Sequence, residues 1–190
     1  TTESFGSIKL SDGAVYVGDI VEGAMHGHGK LTLANGTTYD GQWRNGQKHG
    51  KGTLVYPGGT ATYVGNFAHD KMHGEGEYTS TQGMSYAGTW KNDQKHGQGR
   101  KTFINGNIYT GEFVEDVMEG QGTLTCANTD TYEGQWANNM RHGLGTQTDN
   151  KGRVYTGEWL RDTKHGKGTM TMKDGTKYEG NWQKDKRHGY

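Results

Sequence analysis

The fold is decided by one stretch of the sequence, which begins Tyr39-Asp40-Gly41-Gln42-Trp43 and continues, six residues beyond the tryptophan, with His49-Gly50-Lys51-Gly52. In an extended strand, alternate residues share one face, so Tyr39, Gly41 and Trp43 are predicted to lie on the same side of a sheet. The residues between them then point to the other side. A glycine between two aromatic residues leaves room for rings to lie over it.

The same pattern recurs along the whole chain in steps of 23 residues, with a single step of 24. The recurring tyrosine is found at Tyr16, Tyr39, Tyr63, Tyr86, Tyr109, Tyr132, Tyr155 and Tyr178. The bulky residue four positions later is Ile20, Trp43, Phe67, Trp90, Phe113, Trp136, Trp159 or Trp182. Turn dipeptides such as Asn35-Gly36 and Asp174-Gly175 separate the extended runs, and they are the strongest short-range hairpin signal. Each unit is therefore predicted to be a β-hairpin with one aromatic face.

The composition supports a repetitive β-structure and not a globular core. The 190 residues include 34 glycines, one proline, and 21 basic residues against 21 acidic ones, and 29% are hydrophobic. So low an apolar content is typical of disordered chains, but the zero net charge and the regularly placed aromatic residues argue against disorder. Because one hairpin is unstable alone, neighbouring hairpins must stack and bury a continuous aromatic stripe. The predicted fold is all-β, an elongated single-layer antiparallel sheet of stacked hairpins.

The pattern Tyr-x-Gly-x-Trp, then His-Gly-x-Gly, then Asp-Gly or Asn-Gly, resembles the MORN repeat, and the resemblance covers essentially all of residues 1–190. It implies a twisted and grooved sheet without a separate globular domain. Arrays made only of such repeats are similar to cytoskeletal scaffold proteins of protists. The resemblance therefore implies a non-enzymatic scaffold or adaptor that binds proteins and links membrane to cytoskeleton.

A second function is left open by the same resemblance. MORN repeats also form accessory segments of plant phosphatidylinositol phosphate kinases, of junctophilins and of a lysine methyltransferase. The alternative is thus a regulatory or phosphoinositide-targeting segment of a larger enzyme. Since Gly6 lies 23 residues before Gly29, and the chain stops in mid-repeat at residue 190, we expect residues 1–190 to be one continuous piece of a longer array.

Departures from the repeat are few. One extra residue precedes Tyr63 and predicts a longer turn or a bulge. Glu119 replaces the recurrent histidine, and Cys126 and Thr129 lie in the same unusual repeat. The residue before the histidine alternates between methionine and a basic residue over six repeats, in step with the bulky residue. This alternation indicates either duplication of an ancestral pair of repeats or a periodic basic edge for an acidic partner.

No unique polar constellation suggests catalysis, so the chain is predicted to be neither an enzyme nor a cofactor-binding or metal-binding protein. The recurrent histidines are spaced about 10 Å apart in the predicted stack, whereas zinc ligands lie about 2 Å from one ion. They are interpreted as a structural ladder in which each histidine bonds nearby backbone. Metal held between two chains by His28, His69 and Cys126 is the open alternative. Cys126 has no neighbouring base, and the Gly-x-Gly pairs lack the remaining features of a phosphate loop.

Two binding surfaces are predicted. A protein partner is expected to use exposed aromatic residues, because such rings give a large contact area. These anchors are Tyr39, Trp43, Trp90, Trp136 and Trp159. From Arg161 onward eight basic residues face four acidic ones, whereas six acidic residues and no basic ones lie between Thr102 and Met140. The basic end is expected to bind anionic phospholipid through Lys164, Lys167, Lys173, Lys177, Lys184, Lys186 and Arg187.

The last strand of the array predicts self-association. Its edge carries unpaired backbone groups and its aromatic face has no following repeat to cover it, so an antiparallel homodimer is expected. The predicted contact residues are Tyr178, Trp182 and Tyr190. With one cysteine, no long apolar stretch and zero net charge, the sequence predicts a cytoplasmic protein that does not bind nucleic acid. The resemblance to MORN-repeat proteins implies a location on the cytoskeleton or on the cytoplasmic face of a membrane.

Overall fold

The computed structural model describes residues 3–189, and nearly all regular structure in them is β-strand. Two compact units are formed, one up to Lys95 and one from His96. The first unit contains β1 (Glu3–Lys9), β2 (Val15–Val21), β3 (Ala24–Thr32), β4 (Thr38–Arg44), β5 (Gln47–Val55), β6 (Ala61–Ala68), β7 (Lys71–Ser80) and β8 (Ser85–Lys91). The division falls inside β9 (Gln94–Thr102).

The second unit continues with the same kind of strand. It contains β10 (Ile108–Val114), β11 (Val117–Thr125), β12 (Thr131–Ala137), β13 (Met140–Thr148), β14 (Val154–Leu160), β15 (Thr163–Thr171), β16 (Lys177–Gln183) and β17 (Lys186–His188). Within each unit, every strand pairs antiparallel with its neighbours in sequence, as β4 does with β3 and β5. The predicted all-β fold of stacked antiparallel hairpins is confirmed.

Two kinds of turn connect the strands, and the sequence reasoning found only one of them. The Asn35-Gly36 type links one repeat to the next, as expected from the dipeptide. The turn inside each repeat is a two-residue turn with both residues at positive φ, such as Asn45 (51°) and Gly46 (79°). Such turns match the twist of antiparallel strands. In most repeats the second residue is aspartate or asparagine, as in Asn92-Asp93, so the usual glycine signal is missing.

The extra residue before Tyr63 is accommodated in a longer turn, as predicted. A short 3-10 turn forms at Pro57–Gly59, with Gly58 at a φ of 65°. Strand β6 then begins at Ala61 with its register intact, because Leu54 pairs with Tyr63 as Leu31 pairs with Tyr39.

The aromatic residues form one continuous stripe within each unit. Tyr39, Gly41 and Trp43 are buried on one side of β4, while the residues between them are exposed. The ring of Tyr39 meets Trp43 of its own repeat edge-on at 5.1 Å and Phe67 of the next repeat at 4.9 Å. These distances are those of favourable edge-to-face aromatic pairs. Successive repeats are therefore joined by ring contacts as well as by strand pairing.

Each tyrosine ring lies on a pair of glycines that face each other across two strands. Gly41 is paired with Gly52, and the Tyr39 ring covers both of them. The Tyr39 hydroxyl donates a hydrogen bond to the carbonyl oxygen of Gln42 at 2.9 Å. Seven of the eight recurring tyrosines are 2% exposed or less. A ring can reach this depth only where neither strand has a side chain beneath it.

The His-Gly dipeptide forms a bulge opposite the middle of the tyrosine strand. The register shifts between Gly41 and Trp43, so that one residue on β4 faces His49, Gly50 and Lys51 on β5. Gly50 adopts a φ of 57°, which a residue with a side chain rarely does. The Gln42 side-chain oxygen accepts a hydrogen bond from the Lys51 amide at 2.9 Å and closes the bulge. Both glycines of His-Gly-x-Gly thus have a distinct structural role.

The glycine pair generates a first prediction about stability. In Gly52→Ala the new methyl group would overlap the Tyr39 ring and lie 2.5 Å from its hydroxyl oxygen. We expect a loss of about 3 kcal/mol in the free energy of unfolding, as for an overpacked core. In the control Gly46→Ala, the new methyl group meets no atom within 4 Å and only the positive φ is strained, which costs roughly 1–2 kcal/mol. Urea denaturation monitored by circular dichroism measures both, and equal losses would contradict the packing argument.

The buried tyrosines predict an alkaline limit to stability. Burial raises the pKa of Tyr132 and of Tyr155 to about 12. A tyrosine in the unfolded chain has a pKa of about 10, so the buried tyrosine hydroxyls of the folded state stay protonated to a higher pH. The resulting stabilisation is fully present below pH 10 and is lost as the pH rises through 12. We expect tyrosinate absorbance and the loss of strand circular dichroism to increase together in this window, and tyrosinate formation near pH 10 in an intact fold would contradict the prediction.

Candidate functional site: the two faces of the sheet

The sheet of each unit has two chemically different faces. The aromatic face carries the recurring tyrosines and the bulky residue four positions later. The opposite face carries the residues that alternate with them, such as Asp40, Gln42, Lys51 and Thr53. Because residues paired across antiparallel strands share a face, the register assigns every strand residue to one face or the other.

The expected partner anchors are not exposed. Tyr39 is 1% exposed, and Trp43, Trp90, Trp136 and Trp159 are 3–4% exposed. The expectation of exposed aromatic anchors is therefore wrong. The indole nitrogen of Trp43 donates to the carbonyl oxygen of Gly29 in the preceding repeat at 2.9 Å, and the other three tryptophans make the equivalent bond. These rings join repeats to one another and leave a partner little aromatic surface to contact.

The residue before the histidine position lies over the aromatic stripe, as long side chains with a charged tip often do. The Lys95 ammonium lies 5.4 Å from the centre of the Trp90 ring, and the Arg141 guanidinium lies 4.4 Å from that of Trp159. Such contacts between cations and aromatic faces are favourable. The basic residues noted in the sequence are therefore part of the cover over the rings.

The alternation along the chain follows from this cross-strand contact. Phe67 is paired with Met72, whereas Trp43 is paired with Lys48. Five further cross-strand pairs combine the same residue types: Ile20 with Met25, Phe113 with Met118, Trp136 with Arg141, Trp159 with Lys164 and Trp182 with Arg187. Tryptophan, whose ring binds cations best, is paired with lysine or arginine, whereas isoleucine or phenylalanine at the same position is paired with methionine. The rule continues where the two-repeat period ends, at Trp159.

Acidic turn residues hold these basic residues from the following repeat. Asp162 accepts hydrogen bonds from the Arg141 amide at 2.9 Å and from its side-chain Nε at 3.1 Å. Asp185 accepts from the Lys164 amide in the same way, at 2.9 Å. Burial lowers the pKa of Lys164. Rings, cations and carboxylates of the aromatic face are thus in contact with one another.

The expected phospholipid patch is divided between surfaces. Lys164 and Arg187 lie on the aromatic face, since they pair with Trp159 and Trp182. Lys167, Lys177 and Lys186 lie on the opposite face, because they pair with Asn181, Thr171 and Gln183 respectively. Lys173 and Lys184 are in connecting turns. The structure does not bring the seven residues together into one patch.

The expected dimer contacts are largely covered. Trp182 is 6% exposed and packs edge-on against Tyr155 at 5.2 Å. Tyr178 is half-buried, with the Arg187 guanidinium 4.3 Å from its ring centre. The expectation of an uncovered aromatic face on the last strand is therefore wrong for Trp182. Tyr190 lies outside the described residues.

The histidine position has a structural role that glutamate can replace. His26 Nδ1 accepts a hydrogen bond from the Asn45 amide, which lies 19 residues later, at 3.5 Å. Glu119 accepts the equivalent bond from the Asn138 amide at 3.0 Å. Among the described residues, His96 Nδ1 is buried without a hydrogen-bond partner. His26 thus bonds nearby backbone, as the structural-ladder interpretation predicts. Glu119 can replace histidine at this position because its carboxylate accepts the equivalent hydrogen bond.

Cys126 lies half-buried at a cavity of about 490 Å³ on the aromatic face of the second unit. The cavity is also lined by Met118, Asp130 and Arg141. Burial raises the pKa of the Cys126 thiol, which disfavours the reactive thiolate. Within residues 3–189, no three side chains of the metal-ligating types converge on one point.

The sequence reasoning missed a groove on the opposite face of the first unit. Its volume is about 920 Å³, and it runs from β3 to β8. Its floor is the row of paired glycines that includes Gly41, Gly52 and Gly65. Its walls carry side chains that differ from repeat to repeat. This variation was visible in the sequence, at the positions between the recurring residues.

Comparisons with known proteins identify the repeat and the fold. The family model described as MORN repeat matches residues 16–38, 39–61, 63–85, 86–108, 109–131, 132–152, 155–177 and 178–190. A search among curated proteins finds no significant match. No helix in residues 3–189 is long and apolar enough to cross a membrane.

Two solved structures have a similar fold. One is the TCP domain of SAS-4 (dCPAP) from Drosophila melanogaster in complex with a proline-rich motif of Ana2, with a TM-score of 0.51 and 12% identity over 94% of this chain and 90% of that chain. The other is the TCP10 domain of Danio rerio CPAP in complex with a peptide of STIL, with a TM-score of 0.50 and 12% identity over 94% and 84%. At this identity the likeness concerns the fold alone.

The exchange at Glu119 generates a third prediction. Glu119→Leu removes the acceptor of the Asn138 amide and should lower the free energy of unfolding by about 1 kcal/mol. Glu119→His should retain most of the stability, because His26 accepts the same kind of bond. The control Glu133→Leu changes an exposed residue of the opposite face and should alter stability by less than about 0.5 kcal/mol. Thermal denaturation measures all three, and equal losses for the two Glu119 variants would contradict the prediction.

Proposed function

Because this chain belongs to the MORN-repeat family, we propose that it is a non-catalytic scaffold that binds an extended segment of a protein partner on the opposite face of its first unit. The observation that carries this proposal is the open groove of about 920 Å³ along that face. It lies across several repeats, as expected of a site that contacts a long and narrow ligand.

The distribution of packing supports the proposal. The recurring rings, cations and acidic turns of the aromatic face are engaged with one another, as at Trp159, Arg141 and Asp162. On the opposite face of the first unit, by contrast, Lys51, Val64 and Glu75 are exposed. A partner can contact these residues without displacing any part of the chain.

The solved structures of similar fold also support it. In both, a protein with this kind of sheet is in complex with a motif or peptide of another protein. A fold of this type can therefore present a surface to a short protein segment. The recurrent structural bonds of polar side chains such as Gln42 and Asp185 are consistent with the scaffold function.

Other expectations from the sequence stay predictions. These are the location at a cytoskeleton or membrane face, the homodimer and the binding of anionic phospholipid. The same holds for the alternative, a regulatory segment of a larger enzyme.

Selection of binding peptides from a random display library tests the proposed function. We expect enriched peptides that lose at least about tenfold in affinity for Val64→Trp, since the new ring would fill the groove. The matched control Thr156→Trp changes the equivalent position of the repeat at residues 155–177 and should bind them normally. Both residues are exposed, so neither change disturbs the core. Failure to enrich any peptide, or equal loss with both variants, would overturn the proposal.

A further inference from the structure

We propose that the groove selects a proline-rich extended segment carrying one acidic and one basic residue, separated by about three to six residues. This inference rests on the proposed function and names the chemistry of the partner. The reasons are the backbone of the groove floor, the order of charges along it and the small apolar side chains beside the acidic strand.

The floor offers a partner no free backbone groups. Gly41 is paired with Gly29 on one side and with Gly52 on the other, and the pairing continues through Gly65 and Gly76. These groups are already used inside the sheet, so the partner cannot bind by adding a strand. An ordinary peptide covered by this floor would leave amide groups without partners, which is costly. Proline has no amide hydrogen, and polyproline II segments need no internal hydrogen bonds.

The charges of the groove are sorted along its length. His28 and Lys30 on β3 and Lys51 on β5 line one part, and all three are exposed. Glu75 and Glu77 on β7 line the other part and are also exposed.

Local pairing leaves a net charge in each part. In the first part, Lys30 and Lys51 carry two positive charges against the one carboxylate of Asp40, which lies 3.0 Å from His28, so the net charge there is positive. At the other end, Glu75 accepts a hydrogen bond from the uncharged Thr89 hydroxyl at 3.0 Å, and Glu77 lies on the same strand. A bound segment should therefore place its acidic residue near β3 to β5 and its basic residue near β7.

Two small apolar side chains line the groove on either side of its acidic strand. Val64 on β6 is 53% exposed and lies between the basic and acidic parts, whereas the exposed Ala87 on β8 lies beyond Glu77, with which both residues pair. Small apolar side chains beside a flat glycine floor leave space for proline rings. Neither Val64 nor Ala87 can donate or accept a hydrogen bond through its side chain.

The spacing of the charges follows from sheet geometry. The acidic strand β7 is two strands from β5 and four from β3, which corresponds to about 10–19 Å at 4.8 Å per strand. A polyproline II segment rises about 3.1 Å per residue, so its charged residues should be about three to six residues apart.

The opposite face of the second unit lacks this charge order. There the acidic residues Glu133 and Glu158 stand among uncharged ones such as Thr123, Thr146 and Gln121, without the two basic strands that precede the acidic strand in the first unit. Thr146 and Thr156 lie within hydrogen-bond distance of each other, at 3.0 Å. That face serves as an internal control because it has the same backbone with different side chains.

The test uses four kinds of labelled synthetic peptide and measures their binding by fluorescence anisotropy. The first is proline-rich with one glutamate and one lysine about five residues apart, and it is made in both orders. The second has glutamine at both charged positions. The third keeps the charges but has alanine in place of proline. The fourth is proline-rich with lysine at both charged positions.

Charge reversal identifies the groove. Lys51→Glu and Glu77→Lys should each weaken the first peptide about threefold to tenfold, because an attraction between exposed charges becomes a repulsion. The matched control is Lys167→Glu, since Lys167 follows His-Gly as Lys51 does and its amide is bonded in the same way. It should leave binding unchanged. Lys51→Glu should bind the fourth peptide more tightly than the unsubstituted protein does.

The proposal is supported if the first peptide binds better than the second and third, and if only the groove variants weaken it. It is overturned if the neutral peptide binds equally well, if the alanine peptide binds as tightly, or if Lys167→Glu has the same effect. Absence of binding by every defined peptide also overturns it. In that case, library peptides that still require Val64 would leave the proposed function standing, so the two failures are distinguishable.

Discussion

The contact on which each repeat depends is a tyrosine ring lying flat on two glycines of neighbouring strands. The Tyr39 ring covers Gly41 and Gly52, and its hydroxyl bonds the carbonyl oxygen of Gln42. Placing the ring this deep requires a glycine in both strands at the same register. That requirement accounts for Tyr-x-Gly in one strand and for the second glycine of His-Gly-x-Gly in the other. The first glycine of that motif forms the bulge that brings the carbonyl of Gln42 within reach.

This contact makes the sheet strongly one-sided. The rings, their basic cover and the acidic turns occupy the aromatic face, as at Trp159, Arg141 and Asp162. On the other face, the backbone of Gly41 and Gly52 lines the floor between the side chains of the alternate residues. Side chains on that face, such as Lys51 and Glu77, are exposed and are not packed against other repeats, so they can differ between repeats. The structural demand on one face therefore concentrates variable chemistry on the other.

The strands, the aromatic face and the repeat boundaries could be predicted because they depend only on residue spacing. Tyr39 and Trp43 had to share a face whatever surrounded them. What covers that face could not be predicted, because the cover consists of long side chains such as Arg141, which reaches the ring of Trp159 in the next repeat. The inner turns were missed at positions such as Asn92-Asp93, where positive φ is adopted without glycine. The groove was missed because exposed aromatic residues were taken as the sign of a binding site.

Individuality in such an array must arise where the repeat imposes no packing requirement. The position between tyrosine and glycine is occupied by Asp40, Val64, Ala87 or Thr110 in successive repeats, and all four side chains are exposed. The position between the glycines of the second strand varies in the same way, with Lys51 and Glu75 in adjacent repeats. Because these positions lie in adjacent rows on one face, a few substitutions can set the order of charges along a groove without altering the fold. A repeat of this type can therefore acquire new partners while its ring and glycine contacts stay unchanged.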